Sequence, residues 1–141
     1  MVTRTGWGIV LIRLAVGIVF VVHGAGKLLG VGPAAAEIGG FAGYLSALGI
    51  PLPTVFAWLV AANEFFGGLF VLAGFLTRFA GIGIAVEMLV VILLVHLPNG
   101  FIISSGSYGY EFALTLMLIS LTLAVAGVDC PWRERCSASR W

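Results

Sequence analysis

The sequence predicts an all-α integral membrane protein, a four-helix bundle with a short amphipathic segment between its first and second helices. Three observations carry that expectation. Of 141 residues, 61% are hydrophobic and 9% charged, whereas an ordinary soluble domain is about 25% charged. A chain this short has too little interior to hide so much apolar surface from water. Four of its stretches are also close to the roughly 20 mostly apolar residues that a spanning helix needs.

The first stretch, residues 6–29, follows Arg4 and precedes Ala34-Ala35-Ala36, a pattern that resembles a signal peptide and its cleavage site. It exceeds the roughly 7–15 residues of a signal h-region and contains Arg13, His23 and Lys27, so it reads as a retained helix. Pro51 and Pro53 introduce the second, residues 52–75. Thr77-Arg78 leaves almost no loop, so the third, residues 79–97, returns as an antiparallel neighbour until Pro98-Asn99-Gly100 stops it. The Gly/Ser-rich segment 104–107 leads into the fourth, residues 108–127. Each helix satisfies its own backbone, as the hydrocarbon core demands. Residues 1–128 are therefore expected to form one transmembrane domain, and residues 129–141 a short polar tail.

Pro33–Ile50 is too short and too mixed to span. Ile38, Phe41, Leu45 and Leu48 recur at helical spacing, which fits a short helix at the membrane surface or an ordered loop packed over the bundle. Arg4, Arg78, Arg133, Arg135 and Arg140 fall on one side, and Lys27 lies near a helix end on the other. The positive-inside rule places the five arginines and both termini in the cytoplasm.

Polar residues inside spans cost a few kcal/mol each on insertion scales and need a reason. Counted at about 1.5 Å per residue from the cytoplasmic helix ends, Arg13, Glu87 and Glu64 lie roughly 10, 12 and 16 Å deep, with Asn63 beside Glu64. An arginine and two carboxylates at similar depth suggest a buried ion pair or triad that fixes packing. Alternatively, one carboxylate exchanges a proton with a substrate. The same count puts His23, His96 and Glu111 roughly 25 Å from the cytoplasmic side, with Lys27 a turn further out. Such a group could hydrogen-bond a polar head and pass protons to it. Plainer readings stand beside this one: Lys27 snorkels to the interface, and His96 bonds loop carbonyls. On the third helix Glu87 and His96 are nine residues apart, so both face the core only if the helix is distorted near Pro98. Gly67, Gly68 and the Gly81/Ala85 pair mark close helix contacts.

A net charge of +1 and the lack of a basic patch with interleaved aromatics give no reason to expect nucleic acid. There is no Cys-x-x-Cys, Walker loop, dinucleotide fingerprint or His-Glu-x-x-His. A metal site at His23, His96 and Glu111 has suitable ligand types but no diagnostic spacing. Cys130 and Cys136, on a cytoplasmic tail, are expected to be free thiols.

The chain resembles the DoxX family of small bacterial and archaeal membrane proteins. The resemblance rests on Arg13-Leu14-Ala15-Val16-Gly17 running into His23-Gly24-Ala25-Gly26-Lys27-Leu28, then Gly49-Ile50-Pro51-Leu52-Pro53. It continues through Asn63-Glu64-Phe65-Phe66-Gly67-Gly68, Leu76-Thr77-Arg78, Met88-Leu89-Val90, His96-Leu97-Pro98-Asn99-Gly100-Phe101 and Gly109-Tyr110-Glu111. It implies a four-helix membrane protein of redox metabolism, similar to thiosulfate:quinone oxidoreductase subunits or to membrane partners of thiol and superoxide defence enzymes. The polar pattern of the family falls on Arg13, His23, Lys27, Glu64, His96 and Glu111. Glu87 is not matched to it.

Together these readings point to a membrane oxidoreductase component that binds a quinone or similar amphiphilic redox molecule. His23, Lys27 and His96, with Arg13 and Asn63, would bind it, and Glu64 or Glu111 would exchange protons. No intrinsic cofactor motif is present, so electrons would come from another membrane or membrane-associated redox protein. The alternative is a non-enzymatic structural or assembly subunit of a larger, respiratory-type membrane complex; in place of a redox protein, the expected partner could be further copies of the chain in a homo-oligomer. A permeation path along the Arg13–Lys27 stripe ranks below both.

Overall fold

A computed structural model describes residues 4–104 and 108–126, with only the backbone of Arg4 and Thr5. The tail with Cys130 and Cys136, and three of the five arginines used for orientation, lie outside the described residues. The chain is all-helical: α1 is Arg4–Leu29, α2 Ile38–Ala47, α3 Pro53–Ala73, α4 Thr77–Val91 and α5 Glu111–Ala126. A π turn at Ile92–His96 and a 3-10 turn at Leu97–Asn99 carry α4 onward. Gly6–Leu29, Pro53–Ala73 and Thr77–Asn99 are each long and apolar enough to cross a membrane, and Glu111–Ala126 is a shorter apolar helix.

The three long helices and the shorter α5 close a ring. α1 packs on α3, α3 on α4, α4 on α5 and α5 on α1. Val16, Phe20, Val71, Ile84, Met88 and Leu123 fill its centre. Trp7, Leu11, Ile18, Phe79, Ile82 and Val125 point outward and are exposed. In water this would be an aggregation surface; in lipid it is the solvated face.

The α1–α3 contact is the most extensive among the described residues, and small residues make it so. A Cβ on Gly24 would strike the Phe65 backbone, and one on Gly68 would lie 2.8 Å from the Val21 nitrogen. The two backbones therefore touch, as small residues permit in membrane helices. α3 ends at Gly74, whose positive φ of 72° turns the chain and lets Phe75 N–H return to the Phe70 carbonyl at 2.9 Å. Glycine adopts this left-handed conformation without a Cβ clash.

The segment before α3 is a helix rather than a loop. α2 buries Ala42 and Leu45 against Ala57 of α3, with Ile38, Phe41 and Ile50 around them. Ile38, Phe41 and Leu45 are thus the inward stripe, as their spacing predicts. The third span is longer than residues 79–97: it starts at Thr77 and passes Pro98, which occupies the first turn of the 3-10 segment. Proline is tolerated there because its missing N–H would have had no helical partner.

Candidate functional site

The contacts of α1 with α3 decide which polar residues meet. Gly17 faces Gly68 and Leu72, Gly24 faces Phe65, and Lys27 reaches Glu64. The first helix therefore runs several residues past the end of the third on the Arg4 side. Counting both from a common level overestimates the depth of Lys27 relative to Glu64.

Arg13 consequently forms no triad with Glu64 and Glu87, which corrects the pairing expected from depth. Its Nε donates to the Val71 carbonyl at 2.8 Å and a terminal nitrogen to the Leu72 carbonyl at 2.9 Å. The guanidinium is buried and packs over Gly74. It caps the C-terminal end of α3, where the helix dipole favours a cation and carbonyls lack helical donors.

Lys27 takes the place assigned to Arg13. Its Nζ lies 2.7 and 2.6 Å from the two oxygens of Glu64, and 4.9 Å from the Phe41 ring centroid on α2. Both charged side chains are nearly buried, at 12% and 6% exposure, so Lys27 does not snorkel. Asn63 donates its amide to Glu87 at 2.6 Å, and the Glu87 carboxyl is in hydrogen-bond contact with Glu64. The Asn63 amide oxygen sits over Gly83, which has no side chain to displace it. One ammonium, one amide and two carboxyl groups from α1, α3 and α4 thus form a single cluster.

That cluster lines a cavity of about 720 Å³. Val19 and Phe20 of α1, Leu45 and Leu48 of α2, and Ala113 and Leu116 of α5 make much of its apolar lining. Phe56 and Leu59 of α3 and Val86, Val90 and Leu94 of α4 border it and are themselves exposed. The cavity is therefore open beside α3 and α4, and also beside Tyr44, Ile103, Tyr108 and Phe112, which line it and are exposed as well. Phe41 and Tyr44 of α2 form part of its wall.

His23 and His96 both line this cavity. Each ring is fixed by a carbonyl: Nδ1 of His23 lies 2.8 Å from the Val19 oxygen, and Nδ1 of His96 lies 2.8 Å from that of Tyr108. A carbonyl accepts only, so Nδ1 donates in both and Nε2 is the remaining ring nitrogen. The loop-carbonyl reading of His96 and the cavity reading hold together. The distortion that sequence spacing requires between Glu87 and His96 is the π turn at Ile92–His96. Its wider turn delays the helical rotation, and π turns recur at functional positions.

Glu111 stands apart. Its Oε1 accepts the Ile103 N–H at 2.9 Å, and it borders a separate hollow with Phe101, Phe112 and Thr115. It does not line the cavity of Lys27, His23 and His96. Among the described residues, no three His, Cys, Asp or Glu side chains are gathered closely enough to hold a metal. Phe41, Tyr44 and Tyr108 are lining residues that sequence reading missed. Their only signal is an aromatic position at the edge of a short helix or loop.

These features define a multi-pass helical membrane protein with a lateral apolar cavity that ends on a buried charged cluster. The chain belongs to the DoxX family, whose model matches residues 8–97. It is similar to "Putative oxidoreductase CatD" of Bacillus subtilis, 32% identical over 120 residues, 85% of this chain and 79% of that protein. It is also similar to "Uncharacterized membrane protein Rv3486" of Mycobacterium tuberculosis, 34% identical over 112 residues, 74% of this chain and 63% of that protein. No solved structure matches it. The family match includes Arg13, His23, Lys27, Asn63, Glu64, Glu87 and His96, and stops short of Glu111.

Proposed function

We propose that the protein is a membrane oxidoreductase component that binds a quinone or similar amphiphilic redox molecule in the lateral cavity. The observation that carries this reading is the join of an apolar volume open beside α3 and α4 to one buried polar wall. Pockets of this kind hold a ligand through apolar walls and orient it with a few polar groups. The isoprenoid or alkyl tail leaves through the opening beside Leu59 and Val90. The head lies against Lys27 and Asn63, with His23 or His96 Nε2 meeting a second oxygen. Glu64 exchanges the proton. Electrons reach the ligand from a redox partner in or at the same membrane, the bacterial or archaeal cytoplasmic membrane, with both termini on the cytoplasmic side. The name of the Bacillus relative supports the redox part of this assignment.

The test is binding of a short-tailed quinone to purified protein in lipid nanodiscs. Saturable one-to-one binding is expected, weakened at least about tenfold, or roughly 1.4 kcal/mol, by Asn63→Leu and unchanged by Glu111→Gln. Absence of saturable binding in lipid, or equal loss in both variants, would overturn the assignment. A stoichiometric partner protein seated against the α3–α4 opening would favour an assembly subunit instead.

A further inference from the structure

The charge count of the cavity wall has a consequence for what the cavity admits. Lys27 is the one ammonium in the cluster, and it faces two carboxyl groups, Glu64 and Glu87. The guanidinium of Arg13 is held at the far end of α3 by the Val71 and Leu72 carbonyls, about 10 Å along the helix from Glu64. His23 and His96 each spend Nδ1 on a carbonyl. Tyr44 and Tyr108, the other titratable lining groups, bring hydroxyls and no positive charge. Counted formally, with neutral imidazoles, two carboxylates outnumber one ammonium on this wall.

We infer that Glu64 and Glu87 make this cavity selective for uncharged, carbonyl-bearing amphiphiles and exclude the anionic amphiphiles that surround the protein. The inference deepens the quinone reading by naming the class of head group and the residues that set it. A fatty acid or phospholipid head would place a further negative charge beside two carboxyl groups in an apolar wall. Like charges a few ångströms apart repel strongly where water is scarce. A ketone, ester or quinone oxygen meets no such repulsion, and accepts a hydrogen bond from the Asn63 amide or the Lys27 ammonium. Specificity of this kind is built against the wrong ligand as much as for the right one. Without Glu64 and Glu87, Lys27 would be an anion-binding ammonium in the buried wall of an apolar cavity.

The experiment uses two photoreactive long-chain probes in liposomes containing the full chain: a permanently anionic alkyl sulfonate and the methyl ketone of the same chain. Crosslinks to peptides lining the cavity, around Val60 and Val90, are normalised to those on the outer face around Leu11 and Ile18. The wild type is expected to favour the ketone at least about tenfold in the cavity, the ratio equivalent to roughly 1.4 kcal/mol. Glu87→Gln, which keeps an acceptor for Asn63, narrows that ratio, and Glu64→Gln with Glu87→Gln reverses it. Equal labelling of the wild type by both probes, or an unchanged ratio in both variants, overturns the inference. Failure of the quinone to bind while the ratio still reverses would sink the quinone reading and leave this selectivity standing.

Discussion

Replacing Arg13 by methionine tests the assembly of the bundle directly. The side chain keeps similar length and apolar reach but loses the donors to the Val71 and Leu72 carbonyls, at 2.8 and 2.9 Å. Hydrogen bonds involving a charged group contribute about 1.5–3 kcal/mol each, and a cation at a helix C-terminus about 0.3–1 kcal/mol more. Removing the buried charge also relieves some desolvation. The net loss expected is about 2–4 kcal/mol of stability, read by equilibrium unfolding in mixed micelles. Arg13→Lys keeps the charge but reaches one of the two carbonyls instead of both, and should lose roughly half as much. The decisive quantity is the coupling between Arg13→Met and Glu64→Gln in a double-mutant cycle. Residues more than about 7–10 Å apart with no shared partner add within roughly 0.5 kcal/mol. A coupling of about 1 kcal/mol or more would restore the arginine–carboxylate triad and refute the capping role.

Three further outcomes are expected. Lys27→Met strands the Glu64 carboxylate in an apolar wall, so it should destabilise by about 3–5 kcal/mol in micelle unfolding, and adding Glu64→Gln should recover much of that loss. Gly24→Leu drives a side chain into the Phe65 backbone and should cost at least about 1–3 kcal/mol or abolish folding; Gly39→Ala on α2, where a Cβ meets nothing within 4 Å, is the control. Gly83→Ala pushes the Asn63 amide off Glu87, so quinone affinity in nanodiscs should fall several-fold, about 1 kcal/mol, while the unfolding transition moves little.

The helices were legible because lipid imposes a strong rule: a span must be long, apolar and internally hydrogen-bonded. α2 was legible as a stripe at Ile38, Phe41 and Leu45, though spacing alone did not separate a helix from a packed loop. The site was legible as a set of residues and misread as a set of pairs. Arg13, Lys27, Asn63, Glu64, Glu87 and His96 all stand out as polar residues in an apolar run. Their partners depend on how far one helix slides past another, and no single-chain count contains that offset. It is set by where backbones can touch, through Gly17, Gly24 and Gly68. Of these, Gly68 was read in the sequence as a packing residue, whereas Gly17 and Gly24 were not. Read as a register, the pairing of Gly24 with Phe65 would have placed Lys27 against Glu64.

The π turn of α4 carries the last step. A regular helix would put His96 on the opposite face from Glu87, away from the cavity. The extra residue in the turn at Ile92–His96 is what allows one helix to contribute both the buried carboxyl and a ring nitrogen at the outer end. Deleting Val95 should regularise the turn and swing His96 away from Tyr108, since the wider turn is the feature that brings it there. A purely structural π turn would leave quinone affinity unchanged when shortened. A turn that exists to aim His96 would lose affinity by the same factor as His96→Ala, and the two changes together would cost no more than either alone. Titration of the short-tailed quinone in nanodiscs against the three variants separates these outcomes. Additive losses would mean that the turn and the histidine act independently and that α4 is bent for some other reason.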